Sequence, residues 1–162
     1  MDSEAAQVTP PQDPPLGIYP ARVDDRGRLK LPVPFQQYLG SLPEKRLFAT
    51  SLDRRIAQIY PVSAWRETAK KLNEARADAK KPAKRVYFAA MELGADSEMD
   101  SQGRVLLSPE LRRALGIENQ NVHIMAEGGR IQVLTQAIFE EQQRESVAHP
   151  EDAESLEEIG LL

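Results

Sequence analysis

The chain has 162 residues with 12 prolines, no cysteine and a formal net charge of −4, a length that suits one compact domain or two small ones sharing a core. Without cysteine, disulfides, thiolate metal sites and a cysteine nucleophile are excluded. No run approaches the roughly 18 apolar residues of a membrane span, and the N-terminus lacks the basic-then-apolar secretory pattern. The charge is unevenly spread: residues 1–21 carry −3, residues 22–139 carry +6 and residues 140–162 carry −7, a basic body between acidic ends.

Residues 1–17, rich in proline with small and acidic neighbours, read as a disordered or extended arm. Tyr19 to Val23 reads as a strand entering the turn Asp24-Asp25-Arg26-Gly27-Arg28, and Leu29 and Leu31 flank Lys30 as in a half-buried strand leaving it. Pro32 and Pro34 then stop the strand. Phe35 to Leu39 makes one or two helical turns, with Gly40 as the expected C-terminal stop. Leu47 to Thr50 and Ile56 to Tyr60 pattern as a hairpin, followed by a helix whose apolar stripe is Trp65, Ala69 and Leu72. A polar stretch over Glu74–Lys84, broken by Pro82, precedes a further helix predicted over Arg85–Leu93.

The same script then repeats. Met99-Asp100-Ser101-Gln102-Gly103-Arg104 is a second Asp-x-x-Gly-Arg turn, 76 positions after the first. Superposing the aspartates sets Leu31 on Leu107, Phe35 on Leu111, Leu39 on Leu115 and Gly40 on Gly116. Ser108 is the expected N-cap of the second short helix, with Pro109 at its first position. Val122 to Met125 and Ile131 to Leu134 form a hairpin around Gly128-Gly129, a pair suited to positive φ. Ile138 and Phe139 follow the expected cap Thr135, and His123 reads as a structural strand residue. Past about Ser146 the chain reads as a frayed acidic tail, with a short helix through Leu156, Ile159 and Leu162 as the alternative. Each copy has about 45 residues, too few to sustain a core alone without disulfides or metal. The copies must therefore bury their apolar faces against each other, and oligomerisation is a natural outcome.

The residues Asp24-x-x-Gly27-Arg28-Leu29-x-Leu31-Pro32-x-x-Phe35, then Tyr60-Pro61-x-x-x-Trp65, then Arg85-x-x-Phe88, then Asp100-x-x-Gly103-Arg104 with Pro109-x-Leu111-Arg112 resemble the MraZ family. The similarity runs from about residue 18 to 145. It implies an α+β fold: a duplicated swapped-hairpin AbrB-like β-barrel with short flanking helices. The corresponding division is an arm over 1–17, a SpoVT-AbrB-like repeat over 18–63, a helical connector over 64–92, a second repeat over 93–136, and a C-terminal helix and acidic tail over 137–162. The implied function is a cytoplasmic, nucleoid-associated transcriptional regulator. It would bind DNA repeats upstream of a cell-division and cell-wall gene cluster and assemble as a homo-oligomer, with a closed ring as one form. The chain departs from the family pattern in its proline-rich arm, in a second turn less basic than the first, and in Phe139 where tryptophan is common.

The expected DNA-binding residues are Arg22, Asp24, Arg26, Arg28, Lys30, Asp100, Gln102 and Arg104. The four cations around the first turn suit phosphates, and an arginine there can fork onto a guanine edge. Gln102 suits an adenine edge or a phosphate. The aspartates suit holding the loop or orienting an arginine, and simple Asp–Arg closure of each turn accounts for them equally well. No phosphate-cradling glycine loop, nucleophile elbow or metal cluster is visible, so no enzyme, cofactor, small-molecule substrate or membrane partner is expected. The alternative to DNA recognition is an oligomeric repeat barrel that binds a protein partner, antitoxin-like or scaffold, in which DNA binding has disappeared or is secondary.

Overall fold

The computed structural model describes residues 12–162, so most of the expected N-terminal arm lies outside the described residues. The elements are β1 (Tyr19–Val23), β2 (Arg28–Lys30), α1 (Val33–Ser41), β3 (Arg46–Ser51), β4 (Ala57–Pro61), α2 (Val62–Asn73), α3 (Lys80–Leu93), β5 (Ala95–Glu98), β6 (Arg104–Leu106), α4 (Pro109–Leu115), β7 (Asn121–Glu127), β8 (Arg130–Thr135), α5 (Gln136–Glu145) and α6 (Pro150–Glu158).

All eight strands join one antiparallel sheet in the order β5-β3-β4-β8-β7-β1-β2-β6. The two end strands, β5 and β6, are joined by the second Asp-x-x-Gly-Arg turn, which leaves the barrel nearly closed. This is the interleaved, swapped-hairpin α+β architecture the resemblance implies. Strands β1 and β5, each the first of its repeat, pair with β7 and β3 of the other repeat. Two seams join like to like. Leu29 of β2 faces Val105 of β6, its own counterpart, and Gln58 of β4 faces Gln132 of β8. A pseudo-two-fold axis therefore passes through the barrel at both seams.

The core follows from strand alternation, since successive side chains point to opposite faces. Leu29, Val105, Ile59, Ile131 and Val122 are fully buried, with Phe35 and Leu111 of α1 and α4 plugging the barrel. A smaller cluster forms where α2 and α3 cover β3 and β4. There Trp65 meets Phe48 at 4.9 Å and Tyr60 at 5.3 Å, and stacks on Tyr87 at 6.4 Å between centroids. The second repeat keeps the first of these pairings as His123 stacked on Phe139 at 3.6 Å. His123 is thus a packing residue, and Phe139 takes the place of the tryptophan.

Three local expectations are corrected. Helix α3 begins at Lys80, five residues before the predicted start; Pro82 sits in its first turn, where no intrahelical N–H bond is lost. Gly40 does not end α1, which runs on to Ser41. There the Lys45 ammonium bonds the Gly40 and Leu42 carbonyls at 2.6 and 3.0 Å, whereas Gly116 does end α4, at φ 64°. The acidic tail is also helical over α6: Pro150 opens it, and Asp152 accepts the His149 N–H at 2.7 Å. The two predicted caps form, with Ser108 accepting from Leu111 N and Thr135 from Ile138 N at 3.1 Å each.

Candidate nucleic-acid interface

The two Asp-x-x-Gly-Arg turns are built alike, atom for atom. In the first, Asp24 Oδ1 accepts the backbone N–H of both Arg26 and Arg28 at 2.9 Å, and Oδ2 accepts Arg28 Nε at 3.0 Å. In the second, Asp100 Oδ1 accepts from Gln102 N and Arg104 N at 2.9 Å, and Oδ2 from Arg104 Nε at 2.9 Å. The glycines turn the chain at φ 79° and 75°, a region open to glycine at little cost. Both carboxyls are held below the usual carboxylate range, chiefly by the backbone N–H of Arg28 and of Arg104 respectively. Such groups stay ionised near neutrality and are unsuited to acid catalysis.

The aspartates therefore organise the turns and aim the arginines. Each arginine is gripped through Nε alone. Among the described residues neither terminal nitrogen of Arg28 or Arg104 has a protein partner, so on these partly exposed side chains the fork that recognises phosphate or guanine is left unengaged. Arg26 and Gln102 occupy equivalent exposed positions at the turn tips.

Each turn is braced by the other repeat. Gly27 O accepts Leu107 N, and Gly103 O accepts Leu31 N, both at 2.9 Å. Gln36 of α1 lies over Gly103, where an added Cβ would stand 2.2 Å from its side chain, and Arg112 of α4 lies over Gly27 at 2.4 Å. Sequence reasoning missed both braces. The signal was there: Gln36 and Arg112 are 76 positions apart, like the glycines they cover.

Between the turns run β2 and β6, paired as Arg28↔Leu106, Leu29↔Val105 and Lys30↔Arg104. The middle pair points inward and the outer pairs point to solvent. Gly27 and Leu31, the ends of this ribbon, are separated by about 13 Å at ~3.3 Å per residue. Pairing of β1 with β2 and with β7 sets Arg22 beside Lys30 and Asn121. Arg22, Lys30 and Arg104 thus form a transverse row of cations on adjacent strands, roughly 5 Å apart. Lys30 Nζ also donates to the Gln102 carbonyl of the opposite turn. Arg22 is tied down more firmly, donating to Asn121 Oδ1 at 2.9 Å and to Asn119 O and Oδ1 at 3.0 and 2.8 Å. The asparagines left no signal in the sequence; Asn119 takes φ 56°, a conformation asparagine tolerates.

The pseudo-symmetric row is differently charged. Glu98 stands where the first row has Arg22, and Leu106 where it has Lys30. The structure thus brings all eight expected residues onto one face but makes its two halves unequal. An open groove of about 600 Å³ borders the basic half, lined by Arg22, Lys30, Pro32, Val33, Gln36 and Asn121 among others. Among the described residues, no group of three or more His, Cys, Asp or Glu is placed to hold a metal ion, and no helix is long and apolar enough to cross a membrane.

A family model described as "MraZ protein, putative antitoxin-like" matches residues 92–158, the second repeat and the C-terminal helices. Proteins named "Transcriptional regulator MraZ" align over nearly the whole chain. That of Acidobacterium capsulatum is 33% identical over 146 residues, covering 90% of this chain and 98% of that protein. That of Koribacter versatilis is 30% identical over 149 residues, covering 90% and 98%. That of Moorella thermoacetica is 31% identical over 134 residues, covering 81% and 87%. With relatives this similar along its length, the chain belongs to the MraZ family.

Proposed function

We propose that the protein is a sequence-specific DNA-binding transcriptional regulator that meets duplex DNA with the face built from its two Asp-x-x-x-Arg turns and the ribbon between them. The observation that carries this reading is the placement of Arg28 and Arg104, oriented through Nε with open forks, beside the cation row Arg22–Lys30–Arg104. Arg26, Arg28, Lys30, Gln102 and Arg104 touch the DNA. Arg22, braced by two asparagines, adds charge at the margin, and Asp24 and Asp100 hold the turns. The naming of the relatives supports transcriptional regulation. From the family resemblance follow a cell-division and cell-wall gene cluster as the target and residence on the nucleoid in the cytoplasm. Self-association is supported by apolar side chains left in water on α3 and in the C-terminal segment, namely Phe88, Met91, Val147, Ile159, Leu161 and Leu162.

Fluorescence anisotropy with the DNA upstream of the protein's own gene cluster, at two salt concentrations, tests the reading. Specific affinity falls steeply with salt, and replacing one phosphate-binding cation flattens the log–log slope by about 0.9. Arg28→Ala abolishes specific binding, and unchanged affinity in both Arg26→Ala and Arg28→Ala refutes the turn assignment. The second reading, a barrel whose partner is a protein, draws on the exposed acidic helix α6, which carries Leu156 and ends with Ile159 as its C-cap. It replaces the first if no upstream fragment binds even at low salt.

A further inference from the structure

We infer that Leu106 reads the 5-methyl group of a thymine in the major groove, and that it gives the pseudo-symmetric β2–β6 ribbon a direction on DNA. The inference rests on the DNA-binding reading above and assigns a base-reading role within that face.

Leu106 is 55% exposed and lies outside both hydrophobic clusters. It is one of the two outward residues of a three-residue strand, with Arg104, and stands directly opposite Arg28. Its neighbours Val105 and Leu107 are fully buried, so alternation alone holds its side chain on the DNA-facing side. The position is not one the fold requires to be apolar. Its counterpart across the pseudo-two-fold is Lys30, which sits in the same β2–β6 ladder opposite Arg104 as Leu106 sits opposite Arg28.

A two-stranded antiparallel ribbon fits the major groove, and a ribbon with a true two-fold would bind in either orientation with equal affinity. This ribbon differs at its two ends. One carries Lys30, flanked by Arg22 and Arg104, and is suited to the phosphate backbone. The other carries Leu106, flanked by Arg28, with Glu98 where the first end has Arg22. Arg46, across from Glu98, is paired with Asp96 at 2.9 Å, so this end is less basic than the first and favours base edges over a phosphate. Arg28 beside Leu106 can fork onto a guanine, and the apolar group that base edges offer in the major groove is the thymine methyl.

The test uses the full chain and a fluorescein-labelled duplex selected from a random pool by the wild-type protein, with each thymine replaced singly by deoxyuridine, which removes only the methyl. One thymine position is expected to show a loss of about four-fold, the worth of one buried methyl-sized group. Leu106→Ala should bind the thymine and uracil duplexes equally, with unchanged affinity for unrelated DNA. Leu106→Lys, which restores the symmetry, should lose the same discrimination while binding unrelated DNA more tightly. Unfolding midpoints matching wild type show that both variants fold. If wild type remains sequence-specific yet tolerates uracil at every position, the inference is overturned and the DNA-binding reading stands. If the pool yields no selected sequence at all, both fall together.

Discussion

The bracing of each turn by the opposite repeat makes Gly103→Ala informative. The added Cβ meets two separate penalties. The backbone sits at φ 75°, and an L-residue in the left-handed region costs roughly 1–2 kcal/mol. The Cβ would also lie 2.2 Å from the Gln36 side chain, whose Nε2 donates to the Leu31 carbonyl at 2.7 Å. Moving Gln36 aside sacrifices that bond, worth about 1 kcal/mol. The expected loss is therefore about 2–3 kcal/mol. Gln36→Ala alone should cost about 1 kcal/mol, because it removes the bond without straining the turn. In the double variant the bond is lost only once, so it should be no less stable than Gly103→Ala, with a coupling of about 1 kcal/mol. Urea unfolding of the four proteins at matched protomer concentration measures this directly, since self-association would otherwise shift the midpoints. A neutral Gly103→Ala, or strictly additive single effects, would refute the argument that α1 locks the second turn from across the barrel.

Two further outcomes follow from the same structure. Gly40 and Gly116 are counterparts, yet alanine should act on them with opposite sign. Gly40 is helical with open space around a new Cβ and should gain up to ~1 kcal/mol, whereas Gly116 at φ 64° should lose roughly 1–2 kcal/mol; thermal unfolding that moves both the same way contradicts the assigned helix ends. Asp24 and Asp100 have folded-state pKa values below their unfolded ones. Their contribution is thus fully present above the unfolded value near 3.9 and is lost as pH falls through the folded values. Urea midpoints recorded from pH 7 to pH 2 should drop more steeply for wild type than for the Asp24→Asn, Asp100→Asn double variant; parallel profiles would show that the carboxylates do not close the turns.

The turns themselves were legible in the sequence because their physics is local. One carboxylate reaches N–H groups two and four residues on, and one glycine supplies the positive φ, so five residues suffice and their recurrence reveals the duplication. The caps Ser108 and Thr135 were legible for the same reason. The start of α3 and the helicity of α6 rest on local signals that are easily underweighted: a proline is harmless in a first helical turn, and Pro150 with Asp152 is a helix opening. Glycine was ambiguous by itself, since Gly40 stays helical while Gly116 turns left-handed.

The residues alone establish two equivalent turns on short strands, in repeats too small to stand alone, each pairing an aspartate with an arginine four residues later. Where those arginines lie, and how the aspartates grip them, follows from the packed fold. Pairing β2 with β6 brought two turns 76 positions apart to the ends of one ribbon. Pairing β1 with both β2 and β7 then drew Arg22 into the row with Lys30 and Arg104 while tying it to Asn119 and Asn121. The lower charge of the second turn was already legible in the residues, and the strand register then showed that Leu106 faces solvent opposite Arg28, in the place of Lys30 opposite Arg104. The reason is that strand pairing is settled by the burial of a shared core between distant segments, and no local pattern reports which strand will supply the neighbour.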